Sequence, residues 1–257
     1  MARDTTLIFF RSGDSRLESI KARMIDSRRI LLLSTSTIFG GGYLEYAEAE
    51  VREFLSNIGR VLFVPFALHD HAAYAAKVRE RFTAMGFELE SLHESRAAKE
   101  SVARAEAIFI GGGNTFRLLK SLYDLDLLGV MRARVADGMP YMGASAGSNV
   151  AGPTIRTTND MPIVQPPSFA ALGLVPFQIN PHYLDSTPGS THMGETREER
   201  LLQYLEENDT PVLGLREGAW LRIENGSCEL RGTAGARLFR RAAAARELAP
   251  GAIDSFL

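Results

Sequence analysis

Tyr141-Met142-Gly143-Ala144-Ser145-Ala146-Gly147 is the stretch from which the rest of the chain can be read. It opens on a short apolar run of the kind that forms a buried parallel strand. It closes on a G-x-S-x-G turn that leads into a helical segment. A sharp strand-to-helix turn pushes a serine hydroxyl out of a sheet, and small neighbours relieve the crowding. The first N–H groups of the helix then face a developing oxyanion. Taken alone, the motif fits a glycine-lubricated turn as well as it fits a nucleophile.

The same rhythm recurs on both sides. Apolar runs stand at Ile30-Leu31-Leu32-Leu33, Val61-Leu62-Phe63-Val64, Ala107-Ile108-Phe109-Ile110 and Val212-Leu213-Gly214-Leu215. Between them, helical patterns occupy about 44–55, 72–85, 115–122 and 127–135. This alternation predicts an α/β fold, a mostly parallel sheet with helices on both faces. Residues 195–207 read as an amphipathic helix with Leu201, Leu202 and Leu205 on one side. Residues 220–239 alternate and turn at Asn225-Gly226, a hairpin signal. Residues 1–28 are rich in Arg and Ser and lack the pattern, so they read as an N-terminal extension, with a peripheral helix as the rival. Met24 precedes the first strand, and residues 1–23 are expected to be dispensable to the core. Residues 29–257 read as one domain without repeats.

Composition narrows the function classes. A chain of 257 residues is one large domain or two small ones. Its net charge of −2 offers no electrostatic case for nucleic acid or an anionic membrane. No stretch approaches the roughly 18 apolar residues of a membrane span. Leu7-Ile8-Phe9-Phe10 is too short for a signal-peptide core. The single cysteine, Cys228, cannot form an internal disulfide, so a cytoplasmic location is expected, with Cys228 as apolar filler. No metal-ligand spacing occurs, and neither metal nor cofactor is expected.

A serine nucleophile needs a base and an oxyanion hole. Gly111-Gly112-Gly113-Asn114-Thr115 follows a strand and opens a helix, so its backbone could supply a second oxyanion donor. It meets neither the dinucleotide fingerprint nor the P-loop pattern. Of five histidines, His182, after Ile179-Asn180-Pro181, is favoured by position. His69 and His71 read as loop residues, His93 as a strand end and His192 as part of a Gly/Ser/Thr loop. Asp160, in a Thr-Thr-Asn-Asp turn, and Glu217, just after an apolar strand, are the acidic candidates.

Gly111-Gly112-Gly113-Asn114-Thr115-Phe116, Ser145-Ala146-Gly147, Pro153-Thr154-Ile155-Arg156-Thr157-Thr158-Asn159-Asp160-Met161-Pro162-Ile163-Val164, Ile179-Asn180-Pro181-His182 and Gly194-Glu195-Thr196-Arg197-Glu198 together resemble the peptidase E (α-aspartyl dipeptidase) family of serine peptidases. The resemblance runs from about residue 30 to about 239. It implies a three-layer α/β/α sandwich related to class I glutamine amidotransferases rather than to α/β-hydrolases. It implies hydrolysis of dipeptides, and some short peptides, with a free N-terminal aspartate, and a homodimer. By the same resemblance Ser145 is the nucleophile and His182 the base, with either Asp160 or Glu217 as third member. Gly113 and Ala146 form the oxyanion hole. Arg197 binds the substrate aspartate, and Asn114 joins it in the substrate site. Tyr183 departs mildly from the phenylalanine frequent in the family.

Four rivals remain at this level. A cyanophycinase-like peptidase would share Ser145 and His182 but differ in its pocket. An esterase of α/β-hydrolase type matches the order Ser145, Asp160, His182, but its acid would follow the serine too soon. A non-catalytic homologue would keep the glycine loops as an anion site. An amidotransferase needs cysteine where Ser145 stands.

Overall fold

The computed structural model describes residues 27–186, 189, 191 and 193–253. Most of the expected N-terminal extension, Met24 included, and His192 lie outside the described residues.

The apolar runs form the centre of an eight-stranded sheet ordered β12-β9-β8-β1-β5-β4-β2-β3. Five strands are mutually parallel: β1 (Ile30–Leu33), β2 (Arg60–Val64), β3 (Glu88–Ser91), β4 (Ala107–Ile110) and β5 (Tyr141–Ala144). β8 (Ala219–Glu224), β9 (Ser227–Gly232) and β12 (Gly251–Ala252) extend it antiparallel to one another, from the edge at β1. Asn225 and Gly226 join β8 to β9 with φ of 54° and 73°. Two successive positive φ values are what a type I′ hairpin turn requires.

Side chains alternate across this sheet. Ile30, Leu32, Ile108 and Ile110 point into one apolar cluster with α3 (Ala98–Arg104), α4 (Thr115–Asp124) and α5 (Leu128–Ala136). Leu31, Leu33, Phe63 and Phe109 point into the other, against α1 (Glu48–Phe54) and α2 (His71–Ala84). The result is a three-layer α/β/α sandwich, as the strand–helix alternation predicts.

One element pairs differently from the simplest reading. Val212–Leu215 (β7) is not in the main sheet. It joins a second, four-stranded sheet, β11-β10-β7-β6, with β6 (Gln178–Pro181), β10 (Ala236–Phe239) and β11 (Arg246–Leu248). An apolar run reports burial on both faces, not the identity of the neighbour. Here Leu213 and Leu215 face the main core, while Val212 packs with Leu201 and Leu205 of α7 (Arg197–Glu207).

Ser34, fully buried at the end of β1, connects the two sheets. Its hydroxyl donates to the Leu215 carbonyl at 2.7 Å and accepts from the His182 N–H at 2.9 Å. The C-terminal ends of β1, β5, β6 and β7 thus converge at one place.

Candidate active site

Ser145 stands between β5 and α6 (Ala146–Asn149) with φ of 53°. A non-glycine residue in that region costs on the order of 1–3 kcal/mol and persists only where its surroundings impose it. They do so here. The Ser145 N–H donates to the Leu33 carbonyl at 3.1 Å. Ser148 Oγ lies 2.7 Å from the same carbonyl and 2.9 Å from that of Gly143. Tyr141 donates its hydroxyl to the Gly147 carbonyl at 2.6 Å. The next amide, that of Ala146, is the first of the helix, where no intrahelical acceptor exists.

The glycine loop after β4 lies directly against this serine. A Cβ on Gly112 would come within 3.1 Å of Ser145 Cβ and 3.7 Å of its Oγ. Gly113 has φ of 135°, and a Cβ there would come within 2.6 Å of the Ala67 carbonyl oxygen. That carbonyl accepts from the Asn114 N–H at 2.9 Å and holds the loop down.

His182 directly follows β6 with φ of 53°. Its Nε2 is 2.8 Å from Ser145 Oγ, and its Nδ1 is 2.6 Å from Glu217 Oε1. The chemistry fixes the proton. An ionised carboxylate only accepts, so Nδ1–H donates to Glu217, and Nε2 of the neutral ring accepts from the Ser145 hydroxyl. A hydroxyl, an imidazole and a carboxylate in this order can move a proton off Ser145 as it attacks.

Asp160 sits elsewhere. Its Oδ2 accepts from the Thr115 N–H at 2.7 Å and from Thr115 Oγ1 at 2.6 Å, at the start of α4. Among the described residues it has no bond to His182. Both ends of the Asn114 amide are engaged with the protein. Its oxygen accepts from the Arg117 N–H at 3.0 Å as the cap of α4, and its nitrogen donates to the Met161 carbonyl at 2.8 Å.

Arg197 is the first residue of α7 and half-buried. The simplest surface reading would pair it with Glu195 or Glu198. Those acids are taken: Glu195 lies 3.5 Å from Arg200, and Glu198 lies 2.9 Å from Arg237. Among the described residues Arg197 has neither hydrogen bond nor ion pair. Burial holds its pKa down, the Arg200 charge adds to this, and the Asp160 carboxylate opposes it. A cation at a helix N-terminus also lies at the unfavourable end of the helix dipole. The fold alone gives no reason for such a placement, whereas an anionic ligand would.

His71 and His93 are occupied with one another. His71 packs edge-on to Phe66 and His93, and His93 Nδ1 lies 2.7 Å from Ser91 Oγ. Cys228 is buried, and burial pushes its thiol up to about 12, so it is not a nucleophile. Among the described residues no group of acidic, His or Cys side chains could hold a metal ion, and no helix is long and apolar enough to cross a membrane. The sequence does not mark Ser34: a serine after a strand looks the same whether or not it holds the backbone of His182.

Comparison with known proteins gives the family. A profile of Peptidase family S51 matches residues 30–231. A Peptidase E of Streptomyces coelicolor is 58% identical over 222 residues, 86% of this chain and 91% of that protein. A probable alpha-aspartyl dipeptidase of Drosophila melanogaster is 49% identical over 91% of this chain and 99% of its own length. Among solved structures, a putative Peptidase E protein from Listeria monocytogenes superposes with a TM-score of 0.62 at 21% identity, covering 80% of this chain and 99% of that one. A peptidase from an acI-B1 Actinobacterium gives 0.64 at 16% identity, covering 86% and 93%. These two speak to the fold alone, the three-layer α/β/α sandwich described above. With the matched profile and relatives of this identity over most of its length, the chain belongs to peptidase family S51.

Proposed function

We propose that the protein is a serine-type dipeptidase that hydrolyses peptides with a free N-terminal aspartate, Asp-Xaa, through an acyl-enzyme. The observation that carries this reading is the continuous relay from Ser145 Oγ through His182 to Glu217, at 2.8 and 2.6 Å. Its substrate class is supported by the names of the relatives and by the Arg197 cation, which has no ion pair among the described residues. His182 takes the Ser145 proton as the oxygen attacks the scissile carbonyl. The amides of Gly113 and Ala146 receive the oxyanion. The protonated imidazole gives its proton to the leaving amine, and water then hydrolyses the aspartyl-enzyme. Arg197 pairs with the substrate's β-carboxylate, which a planar guanidinium can hold through two N–H groups.

Glu217 is proposed as the third member, and Asp160 as a residue that shapes the pocket near Arg197 while capping α4. Asn114 acts by holding the glycine loop. The two acids separate by experiment. Glu217→Gln should lower kcat on the order of 10³–10⁴-fold, because an amide can favour the wrong histidine tautomer. Asp160→Asn should act mainly on KM. The reverse pattern would assign Asp160 to the relay.

Arg197→Met tests the substrate class. The kcat/KM for Asp-Leu should fall on the order of 10²–10³-fold, the loss of a desolvated charge-assisted pair, with an unchanged circular dichroism spectrum. An unchanged kcat/KM would defeat the assignment. The resemblance further supports a cytoplasmic homodimer, which sedimentation velocity would check as to assembly.

A further inference from the structure

We propose that Arg216 is a positioning residue that holds His182 and Glu217 in register, and that the C-terminal strand β11 is part of this device. The proposal rests on the reading of Ser145, His182 and Glu217 given above. Arg216 immediately precedes Glu217, and its guanidinium reaches back to the segment that immediately follows His182. Nε and Nη2 donate to the two carboxylate oxygens of Asp185 at 2.7 and 2.8 Å. Nη1 and Nη2 donate to Glu247 of β11, the latter at 3.0 Å. The same guanidinium lies 5.7 Å from the centre of the Tyr183 ring, the residue next to His182. Tyr183 is fixed from its other sides. Its N–H donates to the Leu215 carbonyl at 3.1 Å, and its ring lies against Gly214, where a Cβ would come within 2.7 Å of it.

One side chain therefore ties the residues after the base to the residue before the carboxylate. Such a tie has something to do. His182 sits at φ of 53°, a backbone state that relaxes unless neighbours impose it. Glu217 is about half exposed, with a side-chain accessibility of 46%, so water competes for its orientation. Exposed ion pairs of this kind contribute little to global stability. Planar two-carboxylate recognition, by contrast, fixes geometry. Glu247 lies outside residues 30–231, the part matched by the family profile, so this chain braces the site with a strand from beyond it.

The test uses the full chain and two readouts. One is kcat and KM for Asp-Leu; the other is the rate at which a serine-directed fluorophosphonate labels Ser145, which does not depend on the peptide. Arg216→Gln should lower kcat and the labelling rate together, by about 10- to 100-fold as expected for a small misplacement, with KM nearly constant. Arg216→Lys should recover part of the loss, since one ammonium cannot span both carboxylates. Arg241→Gln, which removes the exposed pair with Asp209, is the control. Its melting temperature should match that of Arg216→Gln, and its kcat should equal the wild type. If Arg216→Gln does not fold, Glu247→Gln, which trims only the outer arm, should show the same paired loss at smaller size. Wild-type labelling and kcat in the soluble Arg216 or Glu247 variant would overturn the proposal and leave the serine reading intact. A wild type that is not labelled at Ser145 would overturn both.

Discussion

Ser145→Ala should lower kcat for Asp-Leu by about 10⁴- to 10⁶-fold, the range seen when a relay nucleophile is removed, while the melting temperature barely moves. The second half of this expectation follows from how the residue is held. Its backbone, not its hydroxyl, is tied to the fold, through the N–H donated to the Leu33 carbonyl at 3.1 Å. Among the described residues the hydroxyl bonds to His182 alone. Alanine at φ of 53° carries the same backbone strain as serine. The assay is leucine release followed by amino-acid quantitation over days, since backbone donors leave residual catalysis. A variant that keeps a tenth of the wild-type kcat would remove Ser145 from the chemistry.

Gly147→Ala should act on folding rather than on a chemical step. A Cβ at Gly147 would come within 2.1 Å of the Ile110 carbonyl oxygen and 2.8 Å of its carbon. Those atoms are backbone of a central strand, so no side chain can swing away. The helix start must shift off β4, and a forced core shift costs typically about 1–3 kcal/mol, occasionally more. We place this variant at the upper end, about 3 kcal/mol, which for a chain of this size means a melting temperature lower by roughly 10 °C. Gly173→Ala is the control for backbone strain without collision. Unlike helical Gly147, Gly173 has a positive φ, 58°, but nothing lies within 4 Å of the added methyl. It should lose only the conformational cost of about 1 kcal/mol. Equal losses in the two variants would show that the collision at Gly147 is relieved without a large cost.

Much of the architecture was legible because apolar runs and helical periodicity report burial directly. The runs at Ile30–Leu33, Ala107–Ile110 and Tyr141–Ala144 are strands of one parallel sheet, and Asn225-Gly226 turns the hairpin. Partnership was not legible. Val212–Leu215 looks like the others yet pairs in a second sheet, since no local signal names a strand's neighbour. β3, Glu-Leu-Glu-Ser, carries two glutamates and too few apolar residues to read as a strand. Within the site, the turn chemistry marked Ser145, and position after a strand marked His182. The choice between Asp160 and Glu217 depended on where two loops end in space, and only coordinates place one 2.6 Å from the imidazole and the other on Thr115. Arg216 was hidden for a related reason: its acceptors, Asp185 and Glu247, lie 31 residues away on either side.

The end of β1 has a mechanical consequence. Leu33 offers its carbonyl to Ser145, and Ser34 offers its hydroxyl to the backbone of His182. The Ser145 hydroxyl and the His182 ring come from different sheets but hang from adjacent links of the same chain. A displacement of one sheet against the other must therefore carry both groups through that common anchor, which limits how far the 2.8 Å gap between Ser145 Oγ and His182 Nε2 can open.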